Sequence, residues 1–154
     1  MPAIWILHLA ATLFMTGVIW FVQLVHYPLF TGVGASGFAD YEREHSRRTS
    51  WVVVLPMLVE LATGVYLAFT GSIGGPAGFL TLGEPQLRVL SWAAFGLLIA
   101  IWTSTFLLQV PAHGILARGF DRSAHRRLVT TNWIRTVLWS ARSVLLLWLL
   151  LRAS

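Results

Sequence analysis

The stretch IWILHLAATLFMTGVIWFVQLV, Ile4 to Val25, contains no charged residue over a length that can cross a bilayer. A spanning helix needs about 20 mostly apolar residues. This segment supplies them, interrupted only by His8, Thr12, Thr16 and Gln23 as strongly polar side chains. No basic region precedes it and it outruns the apolar core of a signal peptide, so it is expected to be a retained helix rather than a cleaved leader.

Three more stretches follow the same rule: WVVVLPMLVELATGVYLAF (Trp51 to Phe69), Val89 to Val110, and Trp133 to Leu151. The expected spans are therefore about 4–26, 51–69, 89–110 and 133–151. Composition agrees. Of 154 residues, 56% are hydrophobic and 11% charged, and the mean hydropathy is +0.72, which excludes an ordinary soluble globule. Backbone polar groups in lipid must be satisfied within the segment, and these segments are too long and too continuously apolar for barrel strands. The fold class that follows is an all-α, polytopic membrane four-helix bundle, with residues 1–154 as a single integral membrane domain. There is no cysteine, so disulfides, thiolate ligands and thiol catalysis are excluded.

The net charge of +5 comes entirely from arginine. Arg43, Arg47, Arg48, Arg118, Arg122, Arg126, Arg127 and Arg135 lie in or beside the first and third connections. Arg88 and Arg152 flank the opposite ends. By the positive-inside rule the two arginine-rich connections are cytoplasmic and both termini are non-cytoplasmic, as expected of a multi-pass protein of a bacterial inner membrane. The basic charge then serves topology and contact with an anionic lipid bilayer, with no nucleic acid as partner. The second connection, Gly71 to Gln86, is rich in Gly and Pro and is expected to be a plain outer loop with a short interfacial piece.

Two near echoes stand out. GFADYEREHSRRTSW (Gly37 to Trp51) matches GFDRSAHRRLVTTNW (Gly119 to Trp133), and QLVHYPLF (Gln23 to Phe30) matches QVPAH (Gln109 to His113). The bundle can thus be read as two pseudo-repeated helix hairpins related by an axis along the membrane normal. Polar periodicity continues without a breaker from residues 39–50 into the second span and from 121–132 into the fourth. Helices 2 and 4 should therefore extend about 15 Å beyond the apolar region on the cytoplasmic side.

Each helix carries one polar stripe. The stripes are Thr12, Thr16, Ile19, Gln23, His26; then Glu42, His45, Thr49, Val52, Pro56, with Glu60 close by; then Trp102, Thr105, Gln109, His113; and finally His125, Leu128, Asn132, Arg135, Trp139, Arg142. Ionisable groups in spans face the bundle interior, so these stripes should meet. His26, His45, His113 and His125 then fall at one end. With Glu42 three residues before His45, an arrangement that bundle metal proteins use, the candidate metal ligands are His26, Glu42, His45, His113 and His125. Few further carboxylates are near. A histidine-rich site for a transition metal (Fe, Cu or Zn) is more natural than a carboxylate-bridged pair, and haem held by two of the histidines is the lesser expectation. Gln23, Tyr27, Gln109, Asn132 and Arg135 are candidates to orient ligands or to bind substrate.

Glu60 and Arg142 lie equally deep in their spans and are expected to form a buried ion pair. His8, about 27 Å along the helix from His26, is expected to serve packing or the interface at the far end. Little else polar is expected in that outer half, which favours a one-ended pocket. Most tryptophans are expected in interfacial belts, with Trp102 and Trp139 as core packing or pocket wall.

The segment LLQVPAHGILARGFDRSAHRRLVTTNWIRTVLW (Leu107 to Trp139) resembles the end of a group of small bacterial and fungal four-helix membrane proteins that includes fungal anthrone oxygenases. The resemblance lies in length, in the Val-Pro-x-His that ends helix 3, and in Asn132, Trp133, Arg135 and Thr136 of helix 4. It implies oxygenation of a polycyclic phenol. The functional expectation is a metal-dependent redox enzyme, oxygenase-like, acting on a lipophilic aromatic or quinol from the bilayer, with catalytic residues unassigned and a homo-oligomer left open. The alternatives are a haem-binding bundle and a non-enzymatic small transporter or structural membrane protein.

Overall fold

The computed structural model describes residues 3–70 and 85–153. The expected outer loop lies outside the described residues, except for Pro85 and Gln86, which open a helix. Four helices are long and apolar enough to cross a membrane: α1 (Ala3–Gly32), α2 (Ala35–Thr70), α3 (Arg88–Leu116) and α4 (Arg122–Leu151). Regular helix in α3 starts at Pro85, and in α4 it runs on to Ala153. No strand occurs among the described residues.

The helices alternate in direction. α1 packs on α2 and α4, and α3 packs on α4, whereas the α2–α3 seam is the thinnest of the four. Helices 2 and 4 do start well before their apolar parts, with regular α-helix from Phe38 and Arg122. Asp121 caps α4, its Oδ1 accepting from the Ala124 amide at 2.7 Å and so satisfying one of the amides that a helix start leaves unpaired. Gly119 just before it adopts φ 148°, a backbone conformation that L-residues with side chains avoid. Together they set the register in which His125 and the residues after it enter the bundle.

Two π-helical turns, Val22–His26 and Thr105–Gln109, interrupt α1 and α3. Each is followed two residues later by a proline, Pro28 or Pro111. Proline lacks the amide that would bond to the carbonyl four residues earlier, and its ring crowds that carbonyl. The carbonyls concerned belong to Leu24 and Leu107, each at the centre of a π turn, where the ladder loosens to accommodate the ring. The turns rotate the last part of each helix, which carries His26 and Tyr27 in one case and His113 in the other.

The core stacks in three layers. Tyr27, Phe30, Phe38, Leu116 and Leu128 fill the arginine-rich end; Met15, Ile19, Met57, Ile101 and Trp139 the middle; Trp5, Leu67, Ala94, Leu146 and Leu149 the far end. Large apolar residues also cover the outside. Trp51 is 80% exposed, Leu55 67% and Val144 68%, a surface that suits lipid and not water. All six residues of the predicted α4 stripe are buried. On α2 the stripe drifts: Val52 faces outward, and Val53 and Met57 turn inward in its place. A straight α-helix has 3.6 residues per turn, so a strict 3-4 reading drifts off the true inward face.

Candidate metal site and two buried arginines

At the arginine-rich end, α2 directs Glu42 into the bundle, where it is completely buried. Its Oε1 is hydrogen-bonded to His113 Nδ1 at 2.5 Å and accepts from Ser46 Oγ at 3.0 Å. Its Oε2 is buried with no hydrogen-bond partner. One helical turn on, His45 Nδ1 is hydrogen-bonded to His26 Nε2 at 2.8 Å and to Thr49 Oγ1 at 3.1 Å. Glu42, His45 and His113 each offer a ligand atom within 4.8 Å of the others. This buried His/Glu group can hold a metal ion.

The other predicted residues divide. His26 joins the group through His45, their ring centroids 4.5 Å apart. His125 does not join: its Nε2 donates to the Tyr27 carbonyl at 2.8 Å, so it clamps the end of α1. Tyr27 is buried, and its hydroxyl is hydrogen-bonded to His113 Nε2 at 2.9 Å. Asn132 donates to Gln23 Oε1 at 2.8 Å, and Gln23 donates to the Val129 carbonyl at 3.2 Å. Gln109 bonds elsewhere, to Ser104 Oγ at 3.2 Å and Thr131 Oγ1 at 3.1 Å. The two glutamines of the sequence echo are thus not equivalent. Gln23 is the second residue of its π turn, whereas Gln109 is the last of its own, so the two stand at different distances from Pro28 and Pro111.

Ser46, absent from the predicted set, is a Glu42 partner. Its position, one turn after Glu42 on the same face, was the available signal.

Arg135 lies beneath this cluster, 9% exposed. Its Nε and Nη2 donate to Asn132 Oδ1 at 3.0 and 2.5 Å, and its Nη1 reaches Thr105 Oγ1 only at 3.4 Å. The guanidinium also interacts with the Tyr27 phenol and lies 6.0 Å from the Trp139 ring centroid. Among the described residues it forms no salt bridge.

Deeper in the bundle, Arg142 has the opposite character. Its Nε donates to Glu60 Oε1 at 2.9 Å, both side chains being 1% exposed. Its Nη1 donates to the Ala94 carbonyl, and its Nη2 donates to His8 Nε2 at 2.7 Å. Arginine can only donate, so His8 Nε2 accepts and the proton sits on Nδ1. That proton goes to Thr63 Oγ1 at 2.6 Å, and the Thr63 hydroxyl donates on to the Val59 carbonyl at 2.6 Å. Glu60 is equally saturated, accepting from Thr12 Oγ1 at 2.7 Å and Trp139 Nε1 at 3.1 Å. The expected ion pair is present. His8, however, is hydrogen-bonded to it, and the half of the bundle away from the arginine-rich end holds a polar network beyond what the sequence predicts.

Gly64 makes room for this network: a Cβ there would stand 2.7 Å from Leu98 Cδ2 and 3.2 Å from His8 Cε1.

No protein-family model, curated protein or solved structure matches this chain.

Proposed function

We propose that this multi-pass membrane protein carries a transition-metal centre at its arginine-rich end, built on Glu42, His45 and His113 with His26 beside them. The observation that carries this reading is the unpartnered Glu42 Oε2, a fully buried carboxylate oxygen among imidazoles. A buried carboxylate with no cation is costly. An ion there would receive an acidic oxygen and imidazole nitrogens, a donor set suited to Fe, Cu or Zn. His45 Nε2 has no hydrogen-bond partner among the described residues and is free to ligate. His113 Nδ1 would bind in place of the proton it shares with Glu42, leaving its other nitrogen to Tyr27, the outer-shell support that metal-bound histidines ordinarily have. The close approach of the His26, His45 and His113 rings, with centroids 4.5 and 5.7 Å apart, favours a shared ion over a porphyrin between two of them.

The finer reading is a redox protein acting on a lipophilic aromatic or quinol that enters from the bilayer through the thin α2–α3 seam. A resemblance of Leu107 to Trp139 to small four-helix membrane proteins that include anthrone oxygenases would imply the same chemistry. The arginine-rich end would face the cytoplasm of a bacterial cell, with both termini across the inner membrane.

Metal analysis of the detergent-purified protein by mass spectrometry tests the core of this reading. Near-stoichiometric Fe, Cu or Zn is expected in the wild type, lost in His45→Ala and His113→Ala and retained in His125→Ala. A wild type that binds no metal, even after reconstitution with each ion, overturns it.

A further inference from the structure

Two ionisable side chains of opposite sign are buried at this end of the bundle with incomplete partners: Glu42 has one oxygen without a donor, and Arg135 has no carboxylate among the described residues. Glu42 faces the candidate ligand group. Arg135 is nine-tenths buried, with neutral partners only. The two do not pair with each other, because His113 and Tyr27 stand between them: Glu42 bonds to His113, His113 to Tyr27, and Tyr27 faces Arg135.

An arginine inside a span is expensive unless paired, and where it persists it marks a ligand or pathway. The hydrogen bonds of Arg135 leave it short of acceptors: Nε and Nη2 share the single Asn132 Oδ1, and the 3.4 Å reach to Thr105 leaves Nη1 weakly bonded. A second donor nearby also lacks an acceptor. Trp102 lies one turn before Thr105 on α3 and packs against the layer that contains Trp139, and its Nε1 is buried with no hydrogen-bond partner. The Arg135 guanidinium lies over the Trp139 side of the same layer. The side chains around these donors are apolar or aromatic: Val53, Met57, Trp139, and Phe106 with its ring centroid 5.6 Å from that of Trp102.

We propose that the bundle interior between α2 and α3, under Arg135 of α4, binds a lipophilic monoanion, a carboxylate or phenolate carried on an apolar body, with its oxyanion taken by Arg135 and Trp102. One negative charge compensates Arg135, and guanidinium geometry suits a two-oxygen head. The body lies among Val53, Met57 and Phe106. The inference rests on reading this end of the bundle as a ligand site, and it names the ligand class that the metal reading leaves open. It does not require the metal to be present.

The test uses the full chain in nanodiscs of zwitterionic lipid, titrated with decanoate, 4-butylbenzoate and neutral decanol, with metal content measured on each sample. Saturable binding of both anions and not of decanol is expected. Arg135→Gln should weaken it by about tenfold or more, the scale of a lost charge-assisted contact, with metal content unchanged. Trp102→Phe should weaken it less, and Arg135→Lys should retain part of it; these variants keep the question open to measurement if Arg135→Gln fails to fold. Anion binding that matches decanol overturns the proposal. So does binding that survives Arg135→Gln but disappears with the metal in His45→Ala, because the anion would then sit on the metal. A metal-free protein that still binds the anions through Arg135 would remove the metal reading and leave this one standing.

Discussion

The two buried arginines of α4 sit seven residues apart on one stripe, yet they differ in what surrounds them. Arg142 is paired with Glu60 and bonded to a carbonyl and a histidine, and the proton positions around it follow one from another. Arg135 has an amide, a hydroxyl at long range, the Tyr27 phenol and an aromatic face, and no carboxylate. The first is a closed network whose donors and acceptors are matched within the protein. The second leaves a guanidinium without a carboxylate, and the neighbouring Glu42 leaves one carboxylate oxygen without a donor. Where a membrane bundle completes its own electrostatics, it is bracing itself. Where it leaves buried charge unmatched, it is prepared for something that is not part of the chain.

That contrast can be broken most directly by truncating each arginine. Arg142→Ala strands Glu60 as a lone buried carboxylate and is expected to cost about 3–5 kcal/mol, read as loss of folded protein or a lower thermal midpoint in detergent. Arg135→Met removes a charge that has no carboxylate beside it and leaves only Asn132 Oδ1 short of its donors, so it should cost about 1–3 kcal/mol in the same assay. Equal destabilisation by the two would end the distinction. A double replacement, Glu60→Met with Arg142→Met, should recover most of the loss, since apolar residues of similar volume often replace a buried pair without penalty.

Packing around the closed network gives the next effect. Gly64→Ala drives a methyl into Leu98 and His8 and is expected to cost about 1–3 kcal/mol, whereas Gly114→Ala, with open space at its Cβ, should not lower the thermal midpoint.

On the open side, Tyr27→Phe removes the hydroxyl behind His113 and should weaken metal binding by about 10–100-fold, measured by competition with a chelator, while leaving the fold intact. Unchanged affinity would mean that Tyr27 serves the core alone. The smallest effect belongs to Thr12→Val, which deprives Glu60 of one of three donors at a cost of about 1 kcal/mol, visible as a small drop in the thermal midpoint.

Much of this organisation can be read from residue order. The α4 stripe from His125 to Arg142 is buried throughout, and equal depth was enough to pair Glu60 with Arg142, because a helix converts position into depth and face at a fixed rise and turn. Glu42, His45 and His113 were identified in the same way. The failures have equally specific causes. Val52 was placed inward by a seven-residue repeat that a straight helix does not keep. His125 has the right depth and face, but its imidazole is taken by the Tyr27 carbonyl. His8 was set apart by distance from His26, although the antiparallel return of α2 and α4 brings Thr63 and Arg142 to its level.

Sequence alone therefore determined the four apolar helices, the residues on their inward faces and the end of the bundle to which each polar group belongs. Hydrophobic length and helical periodicity are local properties, and no partner is needed to fix them. The tertiary structure decided which polar atoms meet: that His26 bonds to His45, that His113 bridges Glu42 and Tyr27, and that of two arginines on one stripe only Arg142 finds a carboxylate. Hydrogen bonds tolerate errors of a few tenths of an ångström, and that precision depends on how neighbouring helices are rotated, on the two proline-induced π turns and on side-chain rotamers. None of these is a property of one helix read by itself.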